Sequence, residues 1–136
     1  MTAILVALVA MTVAVAGCAD AGDPTPVVPA PSLRAGEFAV PTISPPFGSE
    51  MEACPAALTT GTLIEHPDGG LGLGFEGGDA TRVRWPYGWR GTSGPPVALV
   101  DADGAVIASI GQRVEVGGGQ VADDWWLGCG GVRVAD

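Results

Sequence analysis

The chain contains no lysine and no asparagine, one tyrosine, one histidine (His66) and three cysteines, Cys18, Cys54 and Cys129. Each scarcity removes a class of chemistry. Without lysine, all six basic side chains are arginine, and they face fifteen acids for a net charge of −9. Duplex nucleic acid is therefore not an expected partner, because affinity there comes from neutralising phosphates. Adsorption of the folded part onto anionic lipid headgroups is disfavoured for the same reason. Few cysteines and one distant histidine make a poor zinc set, so neither a metal nor a cofactor is expected. Acid–base catalysis needs a positioned partner for its histidine. His66 instead sits in a His66-Pro67-Asp68-Gly69-Gly70 turn and reads as a solvated turn residue. No catalytic residue is assigned and the chain reads as non-enzymatic. Long hydrophobic runs are also missing. The only apolar stretch, Ala3 to Gly17, falls short of the ~20 residues that span a bilayer.

That stretch reads as an export signal, a short apolar core closed by small residues. It ends in Val15-Ala16-Gly17-Cys18. The small pair before a cysteine resembles the lipobox of bacterial lipoproteins. That resemblance implies cleavage after residue 17, a diacylglycerol on the Cys18 thiol, and a protein anchored by lipid on the extracytoplasmic face of the cell membrane. The absence of lysine and asparagine beside abundant Ala, Gly, Val, Pro and Asp fits GC-rich coding.

With Cys18 taken by lipid, an exported chain keeps Cys54 and Cys129 for one disulfide. Closing a loop of this length stabilises a small domain by about 4 kcal/mol in the chain-entropy account. Residues 18–53 read as a lipid-anchored, proline-rich linker, with Pro24, Pro26, Pro29, Pro31, Pro41, Pro45 and Pro46 spaced along it. Proline fixes φ and removes a backbone donor, favouring an extended chain over helix or central strand. Fully extended at ~3.1 Å per residue, this tether would reach about 100 Å. Leu33, Phe38, Ile43 and Phe47 are its apolar exceptions, and Phe47 is a candidate to fold back.

Residues 54–136 read as a small β domain. A helical turn is expected over 50–58, interrupted by Pro55. Strands follow at Thr60–Glu65, Leu71–Phe75, Thr81–Trp85, Val97–Val100, Ala105–Ile110, Arg113–Val116 and Val132–Val134. Several alternate with period 2, which places Val83 and Trp85 inward and Arg82 and Arg84 outward. Short strands between glycine-rich turns imply an all-β barrel or sandwich of five to seven strands.

Three motifs lie in residues 61–131: Trp85-Pro86-x-Gly88, Val100-Asp101-x-Asp103-Gly104-x-Val106-Ile107, and Gly111-x-x-Val114-x-Val116-Gly117-Gly118-Gly119, with the late Cys129. Together they resemble a group of small lipoproteins from actinobacteria-like genomes. The resemblance implies a five-stranded OB-like barrel and carries no activity with it.

Gly72-Leu73-Gly74-Phe75-Glu76-Gly77 has the letters of a dinucleotide fingerprint but no helix to open on it. Its glycines are expected where backbones approach closely. Asp101-Ala102-Asp103-Gly104 opens like a calcium loop without the later ligands, and reads as a hairpin turn.

The domain's tryptophans and its tyrosine cluster in Trp85–Gly91 and Asp123–Gly128. Trp89 and Trp126, with Asp124 as acceptor, are the candidate sites for stacking on a sugar. The partner would be cell-wall glycan or an envelope protein. The alternative for these rings is core and lid, where each buries 150–250 Å². Trp85 is assigned to the core. Trp125 and Trp126 cannot both point inward on one strand. A hydrolase using two carboxylates from Glu65, Asp68, Asp123 and Asp124 is the alternative function.

Overall fold

In the computed structural model, Pro29, residues 31–43 and residues 54–136 are described. The expected signal segment, Cys18, Phe47 and the first residues of the expected helical turn lie outside them. No helix occurs among the described residues, so none there is long and apolar enough to cross a membrane.

Ten strands follow in order: β1 (Glu37–Ala39), β2 (Ala57–Glu65), β3 (Leu71–Gly74), β4 (Ala80–Arg84), β5 (Arg90–Thr92), β6 (Ala98–Val100), β7 (Val106–Ser109), β8 (Arg113–Ala122), β9 (Trp125–Leu127) and β10 (Val132–Val134). The first strand of the domain thus begins at Ala57, inside the expected helical turn. Its residues from Thr60 to Ile64 alternate between β-branched and small or apolar types, and the pairing with β8 runs from Ala57.

Strands β2, β3 and β4 form an antiparallel meander. Strand β9 pairs parallel to β4 and antiparallel to β8, and β8 pairs back to β2. This closes a mixed five-stranded ring in the order β2-β3-β4-β9-β8, an all-β, OB-like barrel. Strand β10 adds outside the ring along β8. Strands β5, β6 and β7, which lie between β4 and β8, join β1 from before the barrel in a second, antiparallel sheet with strand order β1-β5-β6-β7.

Closure depends on Gly118. Here β8 leaves β2 and turns onto β9, with φ at +150°. A Cβ at this position would overlap the Leu127 carbonyl oxygen, so no other residue fits.

The core follows the alternation. Leu63, Leu71, Leu73, Val83, Val114 and Val116 are fully buried, as each inward position of β2, β3, β4 and β8 requires. Each such side chain contributes about 1.5–3 kcal/mol. Trp85 is completely buried beyond the end of β4, and its Nε1 donates to the Leu71 carbonyl at 3.0 Å, so its polar tip is satisfied. Leu99, Ala108 and Val40 continue the same core into the second sheet.

The expected domain boundary at residue 54 needs correction. Residues 31–43 belong to the folded body. Strand β1 pairs with β5, Thr42 bridges to Trp85, and Val40 and Ile43 are buried. The prolines misled because Pro41 lies just past the edge strand, where a missing N–H costs no ladder bond. Glu37 anchors the strap: its carboxylate accepts the Arg34 N–H at 2.7 Å and lies 2.9 Å from Arg90 Nε, both side chains less than a tenth exposed.

The disulfide between Cys54 and Cys129 is present, with Cα atoms 5.8 Å apart. It fastens the chain just before β2 to the segment between β9 and β10.

Candidate functional site

The outward positions of β2, β8 and β10 meet in register. Thr62 lies opposite Arg113, and Thr60 opposite Glu115, which is in turn opposite Arg133. Alternation forces these polar side chains to one surface, because their neighbours Leu63, Val114 and Val116 point into the barrel and Gly61 is buried backbone. A furrow of about 550 Å³ runs between them, with Thr60, Arg113, Glu115 and Arg133 along its walls. It continues past Thr60 and Arg113 into a hollow of about 340 Å³ ending at Phe75 and Glu76. In the other direction it continues past Glu115 and Arg133 into one of about 280 Å³, where Leu58 faces Gly117, Gly130 and Gly131.

The electrostatics are mixed. Glu115 and Arg133 form an ion pair, with Arg133 largely exposed and Glu115 about a quarter exposed. Such a surface pair is worth at most about 1 kcal/mol and can be exchanged for a ligand. Among the described residues Arg113 makes no ion pair. Two exposed guanidiniums, the carboxylates of Glu115 and Asp136, and the hydroxyls of Thr60 and Thr62 along an open furrow suit many-point hydrogen bonding to a hydroxyl-rich chain.

The candidates chosen from the sequence are not assembled into one surface. Trp89 lies parallel to Trp85, ring centroids 6.4 Å apart at 7°, and packs on the core. Trp126 is opposite Val83 in the parallel β4–β9 pairing, so it shares Val83's inward side and packs on the core as well. Its Nε1 is buried without a partner among the described residues. Asp124 is outside, bonded to Arg82. The expected stacking pair of Trp89 and Trp126 with Asp124 is therefore corrected. The physical reason is direction: β9 starts beside Arg82 and runs parallel to β4, whereas the loop carrying Trp89 leaves the far end of β4. Trp125 is the outward ring, with the Arg82 and Arg84 guanidiniums 4.5 and 5.1 Å from its centroid.

The four carboxylates of the alternative function divide the same way. Glu65 ends β2 and Asp68 lies in the β2–β3 turn, while Asp123 and Asp124 belong to the β8–β9 turn. Since β8 runs antiparallel to β2 and starts beside Thr62, these turns lie at opposite ends of that pair.

His66 also departs from expectation. Its side chain is only 8% exposed, because it folds over the bare backbone of Gly72, where a Cβ would sit 3.2 Å from the ring. The same Cβ would stand 2.6 Å from the Thr81 carbonyl oxygen, which accounts for Gly72, the first glycine of the fingerprint-like run. The Asp101 turn is a hairpin between β6 and β7: the carboxylate accepts the N–H groups of Asp103 (2.9 Å) and Ala105 (2.8 Å).

The alternation of Arg113-Val114-Glu115-Val116 was the sequence signal for the furrow. Missing was the register that sets Arg133 and Thr60 beside it. No family model, curated protein or solved structure matches the chain.

Proposed function

We propose that this is a lipid-anchored, non-enzymatic binding module of the bacterial cell envelope, holding wall glycan in the furrow across β2, β8 and β10. The observation that carries the reading is the furrow itself: Arg113, Arg133, Glu115, Thr60 and Thr62 converge on one open, polar track. The lipobox-like run ending at Cys18 supports the compartment, and a net charge of −9 favours a sugar chain over a nucleic acid. Five-stranded barrels of this kind carry oligosaccharides or oligonucleotides on their outer wall, although a fold alone does not fix a function.

The test is retention of the full chain on purified wall polysaccharide. Arg113→Ala is expected to weaken retention about tenfold or more, as loss of a charge-assisted hydrogen bond does, without changing the melting temperature. Trp89→Ala should act on stability instead. Retention unaffected by both Arg113→Ala and Arg133→Ala would remove the furrow as the site.

A further inference from the structure

We propose a second binding site, for a primary ammonium group carried on an aliphatic stem, in the depression between β1, the β2–β3 turn and the β5–β6 connection. The depression measures about 420 Å³ and shares no lining residue with the furrow. Phe38, Pro67 and Val97 give it apolar walls, and Glu65, His66 and Ser93 give it polar groups.

Three observations define the ligand. Glu65 is the only charged residue lining the depression, and among the described residues it makes no ion pair. Glu65 is an exposed carboxylate on the lining of a depression whose wall includes the Phe38 ring, and a carboxylate and a ring face both attract a cation. Apolar walls select a cation that brings carbon with it, as an ammonium on a methylene stem does. The third is His66. This side chain, more than nine-tenths buried, lines the depression, and its Nδ1 accepts the Asp68 N–H at 3.2 Å. The neutral ring then carries its proton on Nε2, which has no protein acceptor among the described residues. A ligand oxygen is the complement to that N–H. Ser93 is not available as the donor, because its Oγ already donates to the Gly36 carbonyl at 3.0 Å. An ammonium for Glu65, methylenes for Val97 and Pro67, and a carbonyl oxygen for His66 describe a lysine-type residue in amide linkage.

The strap is what makes the site. Without β1, Phe38 would leave the depression and its wall would be open to solvent. Phe38 is in place because Gly91 on the facing strand has no side chain: a Cβ there would fall within the Phe38 ring.

The test is a nuclear magnetic resonance titration of the full chain in detergent micelles with Nα-acetyl-lysine amide, following the ring signals of His66 and Phe38. Nα-acetyl-norleucine amide, which has the stem and carbonyl without the ammonium, is the comparison. Saturable shifts at both rings are expected, with the norleucine compound bound at least about tenfold more weakly. Glu65→Gln should bring the lysine compound down to the norleucine level, and Glu65→Lys should abolish binding. Equal affinity for the two compounds in the native chain overturns the proposal, a comparison that needs no variant to fold. So do unchanged affinity in Glu65→Gln and shifts confined to residues outside the depression.

Discussion

Arg90 shows how much one side chain can organise in a domain this small. It is 5% exposed, and its guanidinium reaches the Glu37 carboxylate on the strap, the Gly88 carbonyl in the loop after β4, and the Asp101 and Ala102 carbonyls of the β6–β7 turn. Three segments distant in sequence are held by one planar fork, a geometry that lysine does not supply. Nothing in the local pattern around Trp89-Arg90-Gly91 marked this residue, because apart from Gly88 its partners are brought to it by the fold and not by sequence. The pair is buried, so removing one member leaves an uncompensated charge. Arg90→Leu is expected to cost about 3–5 kcal/mol in urea unfolding, and the double variant with Glu37→Leu to recover most of it. If the double variant is as unstable as the single one, the pair is not what binds the strap. Trp126 makes the opposite point at the same scale. The sequence required one of the adjacent tryptophans to face outward, yet only the parallel register with β4 determines that Trp125 does.

Among the elements, the strap β1 was least legible and the barrel most. Alternation in Leu71–Gly74 and Ala80–Arg84 is local, so inward Leu73 and Val83 could be read without knowing what they pack against. Strand β1 is three residues long and sits among prolines, and its ladder partners Arg90, Gly91 and Thr92 lie some fifty residues away on β5. The signal that existed was Phe38 and Ile43 in an otherwise polar and proline-rich stretch. An edge strand that short holds by its side chains more than by its ladder, and Phe38 on Gly91 is the main one. Gly91→Ala should expel the ring, because overpacking of this kind costs about 1–3 kcal/mol. Amide exchange at Phe38 and Ala39 is expected to rise by more than tenfold while exchange at Leu63 and Val114 changes little. Equal acceleration in the barrel strands would mean that the strap and the barrel open as one unit.

For the molecule as a whole, the strap changes where the domain stands. The proline-rich segment suggested a tether of about 100 Å at full extension, but the chain is already fixed at Pro29, whose carbonyl accepts the Tyr87 hydroxyl at 2.6 Å. Ten residues then lie between Cys18 and Pro29, a span of about 35 Å at ~3.1 Å per residue. On the anchoring proposed at Cys18, the furrow and the ammonium site work close to the membrane surface and not deep in the wall. The body itself is closed by the disulfide, which joins residues 54 and 129 across 75 positions of sequence and holds the start of β2 to the chain before β10. Reduction should remove about 2–5 kcal/mol, lowering the melting temperature by roughly 10 °C or more for a body of this size. Anchoring and closure are separable, because they use different cysteines. Cys18→Ser should lose lipid labelling and leave the membrane fraction, as unprocessed precursor or as shed protein. The disulfide and the melting temperature of the body should be unchanged. Membrane partition of a mature-sized Cys18→Ser protein would show that lipid on this cysteine is not the anchor. The short reach from Pro29 would then say nothing about the distance to the bilayer.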